Sequence, residues 1–105
     1  MPSSNDPFHP VLEALGEALG DSSARRYAEG EARAITARLA AVTEMLQAGE
    51  LSVAEARALI GMQGQATQAL LLTVKGMDLI TAQNAVNAAI AAGLAALGKA
   101  AGMLL

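Results

Sequence analysis

The feature that most constrains this chain is the loss of charged residues along its length. Residues 1–57 carry fourteen charged side chains, nine acidic and five basic, whereas residues 58–105 carry three: Lys75, Asp78 and Lys99. The first half of a 105-residue chain is too small to cover all of the second half. Large exposed apolar surfaces mark contact with a protein partner or with lipid. We therefore expect the fold to be completed by association.

The composition removes most kinds of chemistry. Because cysteine is absent, the chain has no disulfide, thiolate ligand or catalytic thiol. His9 is the only histidine, and no Glu-x-x-His pairs are present to build a di-metal site in a helical bundle. The net charge of −3 gives no electrostatic basis for binding nucleic acid. We predict a protein that is not an enzyme and that binds no cofactor, metal ion or nucleic acid.

One segment matches part of a nucleotide-binding motif. The sequence GLAALGKA at residues 93–100 fits G-x-x-x-x-G-K, but Ala100 stands where the motif needs a hydroxyl for magnesium. No strand precedes the segment, and its composition is that of a helix interior. We therefore do not assign it to phosphate binding.

The N-terminal region is predicted to be disordered over residues 1–7, which are rich in proline and serine. A short amphipathic helix is predicted over residues 8–20, because apolar residues recur at helical spacing and Pro10 suits a first turn. This helix either docks on its own domain or acts as a detachable peptide for a groove elsewhere. The apolar residues that would dock are Phe8, Leu12, Leu15 and Leu19.

A helical assembly domain is predicted over residues 21–105, and its clearest element is a helix over about 23–48. Its apolar residues follow a heptad spacing and its charged residues lie on the other side, which predicts one packed seam. The seam consists of Ala28, Ala32, Ile35, Leu39, Val42 and Leu46.

A sharp turn is predicted after that helix. Gly49 suits the left-handed position that ends a helix, and Ser52 with Glu55 matches the S-x-x-E capping box that starts the next one. So short a connection predicts an antiparallel helical hairpin. The second helix should add Leu59, Leu70 and Val74 to the hairpin core. Residues 69–74 are apolar almost throughout, which predicts burial on every side.

A break or bend is predicted at Gly76, followed by a third long helix over about 79–103 that is rich in alanine and glycine. One face of this helix carries large residues, which we expect to be buried: Leu79, Val86, Ile90, Leu94, Leu97, Ala101 and Leu104. The other face carries small residues and two amides, and we predict that it forms a close helix–helix contact. Its residues are Asn84, Asn87, Ala88, Ala91, Ala95, Gly98 and Gly102.

Two environments compete for this last helix. It has no charge over residues 79–98, as a membrane span would, but alanine and glycine add almost nothing to insertion. Its amides, among them Asn84 and Asn87, are costly to place in hydrocarbon without partners. We therefore favour packing between helices in water, with a membrane contact as the alternative.

The sequence thus predicts an all-α, bundle-like protein, completed by oligomerisation and cytoplasmic, since no secretory signal is evident. Its predicted function is structural: it forms a homo-oligomer or a subunit of a larger assembly through its charge-poor C-terminal helices. Two alternatives remain open. One is a membrane-associated or pore-forming, holin-like protein, and the other is a small adaptor that docks a partner through its N-terminal helix.

Overall fold

The computed structural model of the chain describes residues 7–19, 25–74 and 78–97. These residues contain four α-helices and no β-strand, which confirms the all-α prediction. The helices are α1 (Phe8–Leu19), α2 (Arg25–Gln47), α3 (Val53–Val74) and α4 (Leu79–Leu97). The predicted disordered segment, apart from Pro7, lies outside the described residues, as do Gly98 and Gly102 and the side chains of Leu19 and Val74.

Helix α1 begins where the sequence predicted a short amphipathic helix. The amide of Val11 donates to the carbonyl of Pro7 over 3.1 Å, so the first turn closes in spite of Pro10. Its buried face is centred on Val11 and Leu15, which have no exposed surface. The helix lies against α4 and α2 of the same chain.

Helix α2 ends in a glycine cap. Gly49 has a φ of 76°, its amide donates to the carbonyl of Leu46, and the amide of Glu50 donates to the carbonyl of Met45. This pair of hydrogen bonds is the Schellman arrangement, which needs a left-handed residue and is the reason for a glycine here. The sequence placed Gly49 at this position.

Helix α3 begins with the predicted capping box. The amide of Ser52 donates to Oε1 of Glu55 over 2.9 Å, and the amide of Glu55 donates to Oγ of Ser52 over 3.1 Å. The bond from the Ser52 amide, aided by the Ser52 side chain, lowers the pKa of the Glu55 carboxyl. Five residues, 48–52, therefore join two capped helices that contact each other.

A second capped boundary separates α3 from α4. Helix α3 ends at Val74 and α4 begins at Leu79, so the predicted break is present, although Gly76 itself lies outside the described residues. Asp78 caps α4: its Oδ1 accepts from the amide of Thr81 and its Oδ2 from the Thr81 hydroxyl, both over 2.8 Å.

Helix α4 contacts the other three helices, and glycines lie at its tightest approaches. A Cβ atom on Gly93 would lie 2.5 Å from Cδ1 of Leu39 in α2 and 2.8 Å from Cγ2 of Val11 in α1. A Cβ atom on Gly64 of α3 would lie 3.2 Å from Cδ1 of Ile90. These two glycines allow the helix backbones to come close to neighbouring side chains.

The hydrophobic core draws on all four helices. Its members are Val11, Leu15, Ala28, Ala32, Ile35, Leu39, Val42, Ala56, Ile60, Leu71, Ala82, Ala85, Val86, Ala89 and Leu94.

The sequence misplaced part of the core on α3 and α4. The prediction that residues 69–74 are buried on every side is wrong, because Leu71 is buried whereas Ala69 and Thr73 are exposed. Leu79, which we expected on a buried face, is 50% exposed. The α4 face that meets α1 and α2 is instead made largely of alanines and Gly93, because close backbone approach leaves no room for large side chains.

Candidate association surface

The outward face of α4 is uncharged and open to solvent. Among its residues, six that are exposed form a line along the helix, which we call the α4 stripe: Ile80, Asn84, Asn87, Ala88, Ala91 and Ala95. Ile80 is 69% exposed, and its neighbour Leu79 is 50% exposed. Two large aliphatic side chains are therefore exposed to solvent in the first turn of α4, and the amides and alanines follow them along the helix.

The stripe contains the described part of the contact that the sequence predicted. Asn84, Asn87, Ala88, Ala91 and Ala95 are exposed and lie together on one side of α4. Within the described part of the chain this face is exposed, and whether another molecule covers it stays a prediction.

The outward face of α3 has the same character. From Ala58 to Val74 the sequence contains no charged residue. The exposed residues of this segment are Ala58, Gly61, Met62, Gln65, Ala66, Ala69 and Thr73. Met62 is the largest of them and is 66% exposed. From Ala58 onward α3 thus presents an uncharged surface, as α4 does, and the two helices contact each other.

The surface of α1 and α2 contrasts with this. Both helices carry exposed charged side chains, namely Glu13, Glu17, Arg33, Arg38 and Glu44. The guanidinium of Arg33 lies 5.8 Å from the ring centroid of Phe8, a cation–π contact between the two helices. Charge keeps this side of the bundle solvated.

The predicted hairpin-core residues occupy two environments. Those of α2 are mostly buried, namely Ala28, Ala32, Ile35, Leu39 and Val42, whereas Leu46, Leu59 and Leu70 are half-buried. The most buried positions of α3 are Ala56, Thr67 and Leu71. The core face of α3 is therefore rotated relative to the one that the sequence indicated.

The predicted docking residues of α1 face its own bundle. Leu15 is fully buried, and Phe8 and Leu12 are half-buried against the core. Val11 was missing from the docking set, yet it is fully buried and contacts the site of Gly93. Ala85, Ala89 and Gly93 of α4 are small residues spaced four apart in the sequence. This spacing indicates a face of α4 on which another helix can pack closely.

A shallow depression of about 330 Å³ lies between α1 and α4, beside the α4 stripe. It is lined by Ala14, Glu17, Thr81, Asn84, Ala85 and Ala88. Glu17 is its only charged residue, so it has no convergent set of acids and bases for catalysis. Throughout the residues that the structure describes, no group of three or more His, Cys, Asp or Glu is placed to hold a metal ion.

Three threonine hydroxyls lie inside the bundle, and they differ in whether they have a hydrogen-bond partner. Oγ1 of Thr67 accepts a hydrogen bond from Nε2 of Gln63 over 3.3 Å. The hydroxyls of Thr36 and Thr43 on α2 are buried and have no hydrogen-bond partner. An unpaired buried hydroxyl costs stability, so these two positions weaken an otherwise apolar seam.

Within the described residues, α4 is the one helix that is long and apolar enough to cross a membrane. A third of the tested segment is buried inside the bundle. The core helix of a soluble protein meets the same criteria, so length and composition do not separate the two environments. Comparison with protein-family models, with curated proteins and with solved structures finds no match for this chain.

Proposed function

We propose that this chain is a non-enzymatic structural protein that self-associates, or packs into a larger assembly, through the outward faces of α3 and α4. The observation that supports this most directly is the exposure of Met62, Leu79 and Ile80 on two helices that carry no charged residue from Ala58 to Val74 or from Leu79 to Leu97. Burying such a surface removes apolar area from water at little cost in desolvated charge.

The distribution of charge supports a one-sided assembly. Among the described residues the exposed acids and bases lie on α1, on α2, in the loop after α2 and in the first turns of α3, apart from Asp78 at the start of α4. That part stays in water while the uncharged faces of α3 beyond Ala58 and of α4 meet a partner. Alanine, glycine and short amides let the backbones of two helices approach closely. The antiparallel hairpin of α2 and α3, which we infer from their five-residue connection and mutual contact, would hold α3 in place, and the contact between α3 and α4 would keep their outward faces together.

The test compares solution mass at matched positions. We expect the wild-type chain to exceed its single-copy mass of 10.6 kDa in size-exclusion chromatography with light scattering. Ala95→Leu should lower that mass, because a large side chain in a close contact overpacks it. Ala37→Leu is the matched control, since Ala37 is exposed on α2. A wild-type mass of one copy at every concentration would refute the proposal.

A second candidate is membrane association, which the length and apolar composition of α4 favour. Purified protein would then sediment with phospholipid vesicles in the absence of detergent. Protein that stays entirely in the supernatant would remove this candidate.

We do not propose the adaptor function for α1, because Val11 and Leu15 of that helix are fully buried within the chain's own bundle.

A further inference from the structure

We infer that the occupant of the α4 stripe is the α4 stripe of a second copy, in an antiparallel pair about a two-fold axis. This inference rests on the proposed function and specifies its partner, surface and orientation. The positions of the stripe, its order of residue sizes and the charges that flank it support the inference.

The residue positions of the stripe are symmetric about a point between Asn87 and Ala88. Running two copies in opposite directions about that point puts Ile80 opposite Ala95 of the second copy. The same register puts Asn84 opposite Ala91 and Asn87 opposite Ala88. All six residues are exposed, so no rearrangement of the bundle is needed to bring them together.

The order of sizes makes this register self-complementary. The first three residues of the stripe, Ile80, Asn84 and Asn87, are each larger than alanine, and the last three are alanines. Each larger side chain therefore meets an alanine, and the spacing between helices stays uniform. A parallel pair would place Ile80 on Ile80 and Ala95 on Ala95, so the helices would be forced apart at one end and leave voids at the other.

The charges in this part of the chain select the same orientation. From residue 76 to residue 105 the sequence holds two charged residues, Asp78 just before α4 and Lys99 two positions after Leu97. In the antiparallel register Asp78 lies opposite Leu97 of the second copy, at the other end of the helix from the Asp78 of that copy. A parallel pair would bring the two Asp78 carboxylates together, and like charges repel. Opposed helix dipoles add to the antiparallel preference.

The amides favour a second copy over a bilayer. Asn84 and Asn87 would be costly in hydrocarbon without partners. In the antiparallel pair the two Asn87 side chains flank the axis, where each can bond to the other, so the cost of burying Asn87 is offset. The two copies use the same patch, as a closed two-fold interface requires.

The test uses the absence of cysteine, which makes every introduced thiol unique. A disulfide forms only where the Cα atoms are within about 7 Å, so cross-linking reports register. Under mild oxidation we expect Asn87→Cys to form covalent dimers by itself. Ala88→Cys should do the same and retains both amides. Ile80→Cys and Ala95→Cys should each link poorly alone but form a heterodimer when mixed. Ala37→Cys on α2 gives the rate of chance collisions.

Three results would overturn the inference. Efficient linking of Ala95→Cys to itself would indicate a parallel pair. An oligomer by light scattering in which no α4 cysteine exceeds the Ala37→Cys rate would place the contact elsewhere, and the proposed function would stand without this inference. A single-copy mass for the wild-type chain would remove both.

Discussion

In α2, large aliphatic residues face the core and charged residues face solvent, whereas α4 carries small or uncharged residues on both sides. Ile35 and Leu39 are buried while Arg38 and Glu44 are exposed. On α4 the buried Ala85 and Ala89 have the same chemistry as the exposed Ala88, Ala91 and Ala95. The two helices therefore differ in how strongly their sequences distinguish inside from outside.

This difference separates the information that fixes the fold from the information available for association. In α2 a rotation about the helix axis would bury charge, so its orientation is strongly specified. In α4 a rotation would exchange one alanine face for another, and its orientation is set by steric fit at Gly93 and by the neighbouring helices. The exposed alanine-rich face of α4 resembles a buried core face. A partner can therefore cover it without desolvating charged side chains.

The strongest test of this difference between α2 and α4 is to truncate one aliphatic residue in each helix. Leu39→Ala removes a side chain that is 1% exposed and should destabilise the chain by about 2–5 kcal/mol. Ile80→Ala removes a side chain that is 69% exposed and should change the stability of the single chain by less than about 0.5 kcal/mol. Urea unfolding at the lowest workable protein concentration measures both.

The concentration dependence of these two variants carries further information. Stabilisation by association grows with concentration because a partner binds the folded state. The effect of Ile80→Ala should therefore grow as the protein is concentrated, while that of Leu39→Ala should be large throughout. Equal losses for both variants at low concentration would show that Ile80 is buried in the single chain, contrary to the structure.

A glycine series tests whether steric fit positions α4. Gly93→Ala should destabilise by about 1–3 kcal/mol, because its Cβ would overlap Leu39 and Val11. Gly64→Ala should have a smaller effect, because the ends of Ile90 and Val86 can shift by a few tenths of an ångström. Gly30→Ala on α2 meets nothing within 4 Å and should stabilise by about 0.5–1 kcal/mol. Thermal unfolding of the three variants gives the order, and a neutral Gly93→Ala would contradict the close approach.

The difference between α2 and α4 also explains which parts of the fold could be predicted from the sequence. Both caps around residues 49–55 were predicted residue by residue, because capping is local chemistry between Gly49, Ser52, Glu55 and their own backbone. The buried face of α2 was also evident, since the charged residues mark the opposite side. Where the chain has charges or special backbone positions, local rules suffice.

The core faces of α3 and α4 could not be predicted in this way. Alanine and glycine satisfy either side of a helix, so the hydrophobic pattern did not place Gly93 inside or Leu79 outside. The start of α4 was predicted at residue 79, but the cap that Asp78 provides was not identified. The residues predicted for a close helix–helix contact that the structure describes are exposed together on α4, because they share one face of the helix.

Two buried threonines sharpen the comparison between α2 and α3. Thr43→Val on α2 removes a hydroxyl that has no hydrogen-bond partner and keeps the side-chain shape, so it should stabilise by about 1 kcal/mol. Thr67→Val on α3 is the matched control, because that hydroxyl accepts a bond from Gln63 and its loss should destabilise the chain. Chemical denaturation measures both. The same sign for the two variants would show that hydrogen bonding does not decide the outcome.

The smallest expected effect concerns acid pH and Asp78, the single acidic side chain in the charge-poor residues 58–105. The amide and hydroxyl of Thr81 donate to Asp78 and hold the pKa of its carboxyl below the ordinary value of 3.8. A folded-state pKa below the unfolded one means that the carboxylate stabilises the fold above the unfolded pKa. That contribution is lost as the pH falls through the folded pKa. Asp78→Asn keeps a capping oxygen but removes the titration.

The helicity of the wild-type chain, followed by circular dichroism, should therefore show a loss below pH 3.8 that is reduced in Asp78→Asn. Glu55 has its own lowered pKa, so Glu55→Gln is the control that removes the contribution from α3 instead. If Asp78→Asn and the wild type lose helicity along the same curve, the cap does not depend on charge. The start of α4 would then be set by packing, as the position of its Gly93 face is.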